Sequence, residues 1–210
     1  PMKVKITADS TCDLSQDLIE KYDITIVPLT VIKDGQPFLD GKEITRQDLF
    51  DHFDKTGRLC TTSAINAADY AALFSDLRQE YDEIVHFCIS HEMSACYQNA
   101  MLAAEEVGGV YPVDAMNLST GIGHLVLDGA VMAQQGMSGR EIQAELEKRR
   151  EKLNVSFIID TLLYLWKGGR CNAVSALGAN LLSLKPCIEV RNGKMGVAKK
   201  YRGSLKKCLI

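Results

Sequence analysis

A chain of 210 residues, 46% of them apolar, can build one large domain or two modest ones around a buried core. Its 24 basic and 27 acidic side chains leave a formal charge of -3, which excludes the basic footprint of a nucleic-acid binder. Even a long apolar run such as SFIIDTLLYLW contains an acid and falls short of the roughly 20 residues a membrane helix needs. With no signal-peptide pattern at its start, the chain reads as cytoplasmic and without stable membrane insertion.

In chain order, KVKITA is a strand, SQDLIEKY a helix, ITIVPLTVI a strand and TRQDLFDHFD a helix, an alternation that predicts an α/β fold. The segment AADYAALFSDLRQEY puts Tyr70, Leu73, Phe74 and Leu77 on one helical face. EIVHFCIS follows as a buried strand. CYQNAMLAAEEVG is a helix closed by Gly108 and Gly109, and VYPVDA is the next strand. Residues 119–152 read as two helices. Gly136 ends the first, and Ser138 or Gly139 caps the second. Beyond a boundary near residue 153, VSFIID, KPCIEV and the hairpin-like VRNGKMGV predict a smaller unit mixing helices with antiparallel strands. The last stretch, YRGSLKKCLI, looks like the opening of an amphipathic helix.

Seven cysteines, at 12, 60, 88, 96, 171, 187 and 208, form no CxxC pair and have no histidine at zinc-ligand spacing. Neither a disulfide framework nor a metal is expected. Chemistry is sought instead where strands break into small polar residues. In DSTCDL, Ser10, Thr11 or Ser15 can cap the following helix, and Asp9 can hold a loop through backbone N–H groups or act as a general base. In TTSAINAADY three hydroxyls precede a helix that Ser63 or Asn66 can cap. In ISHEMSACYQNA, Ser94 stands just ahead of a helix whose free N–H groups suit a carboxylate or phosphate. In LSTGIGHLVL, Ser119, Gly121 and Gly123 fall short of any phosphate-loop pattern, and close packing of the helix on the sheet is the plainer reading. LLYLWKGGR ends in Arg170, suited to a carboxylate, a phosphate or a structural ion pair.

Taken together and in order, ITADSTCDL, TTSAIN, ISHEMSACYQNA, VDAMNLSTGIG and YLWKGGR resemble the motifs of the DegV family of bacterial lipid-binding proteins. The resemblance spans essentially the whole chain. It implies a Rossmann-like, parallel-sheet N-terminal domain over residues 1–152 and a smaller α+β domain over 153–210, whose C-terminal part is absent from this sequence. It implies a long-chain fatty acid ligand, such as hexadecanoate, with no cofactor. The carboxylate is held by a threonine and a serine that align with Thr62 and Ser94, and the acyl chain is buried between the domains. Ser63, Asp9, Ser10, Ser119, Gly121 and Arg170 are further ligand-site candidates. Where the family pattern has glycine and threonine after the serine, this chain has Ala95 and Cys96.

The same resemblance implies a partner. Some members carry the fatty acid for a separate kinase subunit that forms the acyl phosphate, and Arg202 is the candidate partner-facing residue. On that reading the chain has no catalytic residue of its own. The alternative is a hydrolase or acyl-transfer enzyme using Ser94 or Cys12 with one of His86, His91 or His124. That needs a base within hydrogen-bond reach of the nucleophile.

Overall fold

Alternation of side chains along the first strand already sorts the molecule into layers. The computed structural model describes residues 2–175, 184–203 and 206. The first compact unit, Pro1–Leu153, runs β1 (Val4–Asp9), a 3-10 turn (Ser10–Cys12), α1 (Gln16–Lys21), β2 (Thr25–Val27), β3 (Thr30–Lys33) and β4 (Gln36–Leu39). It continues through α2 (Arg46–Thr56), β5 (Thr61–Ser63), α3 (Ala67–Leu77), β6 (Glu83–Cys88), α4 (Cys96–Val107), β7 (Val110–Asp114), α5 (Thr120–Gln134) and α6 (Gly139–Arg150).

Four of these strands form a parallel sheet in the order β2-β1-β6-β7. On β1 and β6, Ile6, Ala8, Val85 and Phe87 face one side, where they join Ile122, Leu125 and Val126 of α5 and Ile142 and Leu146 of α6 in one core. Gly129 lets α5 lie close to the sheet, for a Cβ there would stand 2.7 Å from Phe87 Cζ. The other face carries Ile84 and Cys88 against Tyr70, Ala71 and Phe74 of α3 and Ala100, Ala103 and Ala104 of α4. Alanines at those α4 positions allow a close approach to the strands. With both faces covered, β6 is buried along nearly its whole length, as strands of parallel sheets are.

Two strand readings are corrected. ITIVPLTVI is not one strand, because Pro28 has a fixed φ and no N–H to give to a ladder. The chain leaves the parallel sheet there, and β3 pairs antiparallel with both β4 and β5 in a second sheet of order β4-β3-β5. The hydroxyls of TTSAIN do not simply lead into a helix either. Thr61–Ser63 is the edge strand β5, with Thr62 opposite Val31.

Between the last two helices of this unit, Ser138 accepts the N–H of Glu141, whose carboxylate answers the N–H of Ser138, so a capping box starts α6. The second unit, Asn154–Ile210, contains β8 (Val155–Ile158), α7 (Leu163–Gly168), α8 (Asn172–Ser175), β9 (Leu184–Arg191) and β10 (Lys194–Arg202). Its strands form an antiparallel sheet in the order β10-β9-β8. Asn192 and Gly193, at φ 50 and 75, make the β9–β10 turn, where positive φ at both residues matches the strand twist. Leu162, Cys171, Val174 and Ile188 form its core. The helix expected in YRGSLKKCLI falls, after Gly203, almost entirely outside the described residues. Among the described residues, no helix is long and apolar enough to cross a membrane.

Candidate functional site at the carboxyl edge of the parallel sheet

In the order β2-β1-β6-β7 the chain first winds outward from β1 to β2 and then returns to place β6 on the other side of β1. Such a reversal opens a crevice beyond the strand ends, where doubly wound sheets bind ligands. The segments after β1 and β6 border it, and they contain DSTCDL and ISHEMSACYQNA.

Asp9, one of the further ligand-site candidates, ends β1 and is enclosed by protein, where it holds the next loop through a backbone N–H as the sequence allows. It is 0% exposed. Its Oδ1 accepts the Tyr70 hydroxyl at 2.6 Å and lies 3.1 Å from His86 Nε2, and its Oδ2 accepts the Ile89 N–H at 3.3 Å. His86 Nδ1 is in turn 2.8 Å from Thr7 Oγ1, and its ring packs edge-on to Tyr70 and Phe74. Thr7 and His86 are register partners on adjacent strands, so strand alternation delivers Thr7, Asp9, His86 and Cys88 to one face beneath α3. Burial, above all, pushes the pKa of the Tyr70 hydroxyl and of the Cys88 thiol up, out of the physiological range, so both stay protonated. Asp9, His86 and Cys88 offer donor atoms within 4.8 Å of one another, a geometry a metal ion could use. The Asp9 and His86 atoms of that trio already bond to each other and to Tyr70 and Thr7.

Beyond Asp9, the Ser10 hydroxyl donates to Asp40 Oδ2 at 2.7 Å and accepts the Leu29 N–H at 3.1 Å, tying the start of the loop to the second sheet. Thr11 Oγ1 is buried and has no hydrogen-bond partner among the described residues. Ser15 occupies the N-cap position of α1.

After β6 the backbone makes one helical turn, with Ser90 O accepting the N–H groups of Met93 at 2.9 Å and Ser94 at 3.2 Å. Ser94 Oγ then accepts the Cys96 N–H at 3.3 Å and donates to Cys96 Sγ at 3.2 Å. Half-buried, it stands beside a helix start whose first N–H groups have no intrahelical partner. The TTSAIN segment is strapped to the same helix, since Asn99 Nδ2 donates to Ile65 O at 2.8 Å. Asn66, rather than Ser63, caps α3 by accepting the Asp69 N–H at 2.8 Å. Thr62 and Ser63 are exposed on β5, and the Ser63 hydroxyl donates to Ala64 O at 3.4 Å.

At the end of β7, Asp114 is buried and takes His91 Nδ1 at 2.5 Å on Oδ2 and the His91 and Met116 N–H groups on Oδ1 at 3.3 and 2.9 Å. Ser119 begins α5 at φ 48 and makes no side-chain cap. Gly121 is buried, and a Cβ on Gly123 would meet Cys12 O at 3.0 Å. Close helix packing is thus the structural use of Gly123. In the second unit, exposed Arg170 donates to Gly168 O at 2.7 Å, and Arg202 is exposed at the end of β10.

Comparison with known proteins decides the family. The pattern described as an uncharacterised protein of the DegV family matches residues 3–208. The chain belongs to the DegV family. DegV domain-containing proteins of Caldanaerobacter subterraneus and Clostridium perfringens are 30% and 31% identical to it over 206 residues, covering 97% of this chain and 73% and 74% of theirs. Among solved structures, a DegV family protein of Thermus thermophilus, described by its fatty acid binding, superposes with a TM-score of 0.88 at 33% identity, over 96% of this chain and 72% of that one. A stearic acid-binding protein of Eubacterium ventriosum gives 0.86 at 29%, over 97% and 72%. DegV of Bacillus subtilis, a fatty acid binding protein, gives 0.86 at 25%, over 100% and 75%.

Among the described residues of this DegV-family chain, no hydrogen bond joins Ser94 or Cys12 to His86, His91 or His124, the pairs that the alternative reading needs. The Ser94 hydroxyl points its proton at Cys96 Sγ. Cys12 is buried, which pushes its thiol pKa up and disfavours the thiolate, and His86 is sealed inside the sheet face. His91 is held by Asp114, and His124 is exposed on α5. The Asp9–Tyr70–His86 network and the Asp114–His91 pair escaped the sequence reading. Each joins residues more than 20 positions apart. The one available signal was the acid ending both KVKITAD and VYPVD.

Proposed function

We propose that this chain binds a long-chain fatty acid, with its carboxylate held by Thr62 and Ser94 and its tail taken into apolar surroundings. The single observation that carries the reading is the likeness, at 33% identity and a TM-score of 0.88 over nearly the whole chain, to a DegV family protein that binds fatty acid. Local geometry supports it. The Asn99–Ile65 bond joins the segment carrying Thr62 to the helix that begins beside Ser94, at the edge where the sheet order reverses.

The energetics suit a carrier. Each CH2 taken from water contributes about 0.8 kcal/mol, so the tail supplies the affinity. The head group costs free energy to bury unless hydrogen bonds replace its water. Two hydroxyls and free N–H groups at a helix start give those bonds and fix the orientation. Ser10, Ser63, Ser119 and Gly121 remain further contacts in this proposal, while Asp9 serves it indirectly by anchoring the Ile89 N–H ahead of the Ser90–Ser94 turn.

Nothing in such a site requires a nucleophile. We therefore propose that the chain is not catalytic alone and that, in the cytoplasm, it presents the carboxylate to a separate kinase for acyl-phosphate formation, with Arg202 facing that partner. Native mass spectrometry of the purified protein should show an added mass equal to one fatty acid, released on denaturation. The Arg202→Ala variant should keep that mass and lose phosphorylation of the bound acid. Absence of any added mass after incubation with hexadecanoate would refute binding, and equal loss of lipid and phosphorylation in the variant would make Arg202 structural.

A further inference from the structure

His91 has no part in the Thr62 and Ser94 pair, yet it is built as a ligand-facing group. An exposed histidine ordinarily samples several rotamers. This one, with its side chain 47% exposed, is locked by a carboxylate that is itself only 5% exposed, through Nδ1 to Asp114 Oδ2 at 2.5 Å. Asp114 is in turn immobilised, its Oδ1 accepting the N–H groups of His91 and Met116 and its main-chain oxygen accepting Arg150 Nη1 at 2.7 Å. A histidine whose Nδ1 proton is fixed by a buried acid presents Nε2 in a set direction.

What Nε2 meets is a carboxylate. Glu92 Oε1 lies 3.5 Å from it. Ser94 is three residues further along the same turn, closed by the Met93 and Ser94 N–H groups on Ser90 O, and side chains so spaced on a helical turn are neighbours, with Cβ atoms about 5–6 Å apart.

We infer that His91 is a third head-group ligand. The ring takes part in its doubly protonated form, Nδ1–H on Asp114 and Nε2–H donating to an oxygen of the fatty acid carboxylate held at Ser94, and the bound acid takes the place of the Glu92 carboxylate. This rests on the placement of the head group proposed above. It also gives the site a preference for an anion over a neutral head that hydroxyls alone would not provide, because a charge-assisted bond is roughly twice as strong as a neutral one.

Equilibrium dialysis with hexadecanoate and with hexadecan-1-ol, the same chain bearing an uncharged head, tests the assignment. His91→Gln keeps a donor for Asp114 and is expected to weaken hexadecanoate binding about tenfold while leaving the alcohol unchanged. Glu92→Gln, which removes the competing carboxylate charge, is expected to tighten hexadecanoate binding by roughly two- to fivefold. The inference is overturned if His91→Gln binds both ligands as the parent does, or loses both equally. Ser94→Ala run alongside separates the two layers. If it weakens hexadecanoate binding and His91→Gln does not, only the role of His91 falls. If neither variant changes hexadecanoate binding, the head group lies elsewhere and the proposed site falls with it.

Discussion

Replacing Asp9 by Ala is expected to lower stability by about 3–5 kcal/mol, the range for removing one member of a buried polar pair. The carboxylate is wholly buried and is the acceptor for the Tyr70 hydroxyl at 2.6 Å, the partner of His86 Nε2 at 3.1 Å and the acceptor for the Ile89 N–H at 3.3 Å. Its loss removes the partner of two fully buried side chains, Tyr70 and His86, and of the partly buried Ile89 N–H, and each buried group left unsatisfied costs about 1–3 kcal/mol. Tyr70→Phe is the contrasting variant. It leaves Asp9 with His86 and Ile89, so a loss of about 1–2 kcal/mol is expected. Urea unfolding followed by far-ultraviolet circular dichroism reads both. A loss below about 1 kcal/mol for Asp9→Ala would mean that the network is not a stabilising element.

The second large effect concerns binding. Thr62→Ala combined with Ser94→Ala should reduce hexadecanoate affinity by a factor of about 100 or more, because two hydrogen bonds to a charged oxygen pair at roughly 1.5–3 kcal/mol each are removed. Stability should hardly move for Thr62, which is exposed on the edge strand β5. Ser94→Ala also removes the acceptor of the Cys96 N–H, so a cap-like loss of about 1 kcal/mol accompanies it. An affinity within threefold of the parent would show that the tail binds and the hydroxyls do not hold the head.

The parallel sheet was legible because its strands are buried on both faces. KVKITA, EIVHFCIS and VYPVDA advertise burial by composition, and Gly108, Gly109 and Gly136 mark where helices stop. Strand β5 gave no such signal. Thr61, Thr62 and Ser63 are all exposed, so periodicity is silent there and only the pairing with β3 makes them a strand. Pro28 was visible in ITIVPLTVI, but the residues around it are apolar on both sides, and composition cannot say that they serve two different sheets. The family motifs pointed to Thr62 and Ser94, and the bond from Asn99 to Ile65 could not be foreseen, since it joins positions 34 apart. The same limit hid the place of Asp9. Its position at a strand end was plain, whereas its inward orientation depends on Tyr70 and His86, 61 and 77 residues away.

The most direct test is a crystal structure of the chain with hexadecanoate. The account predicts the carboxylate with one or both oxygens within about 3.2 Å of Thr62 Oγ1 and Ser94 Oγ, beside the first turn of α4. A carboxylate lodged on other residues, or hydroxyls of Thr62 and Ser94 too far apart to share one head group, would contradict it.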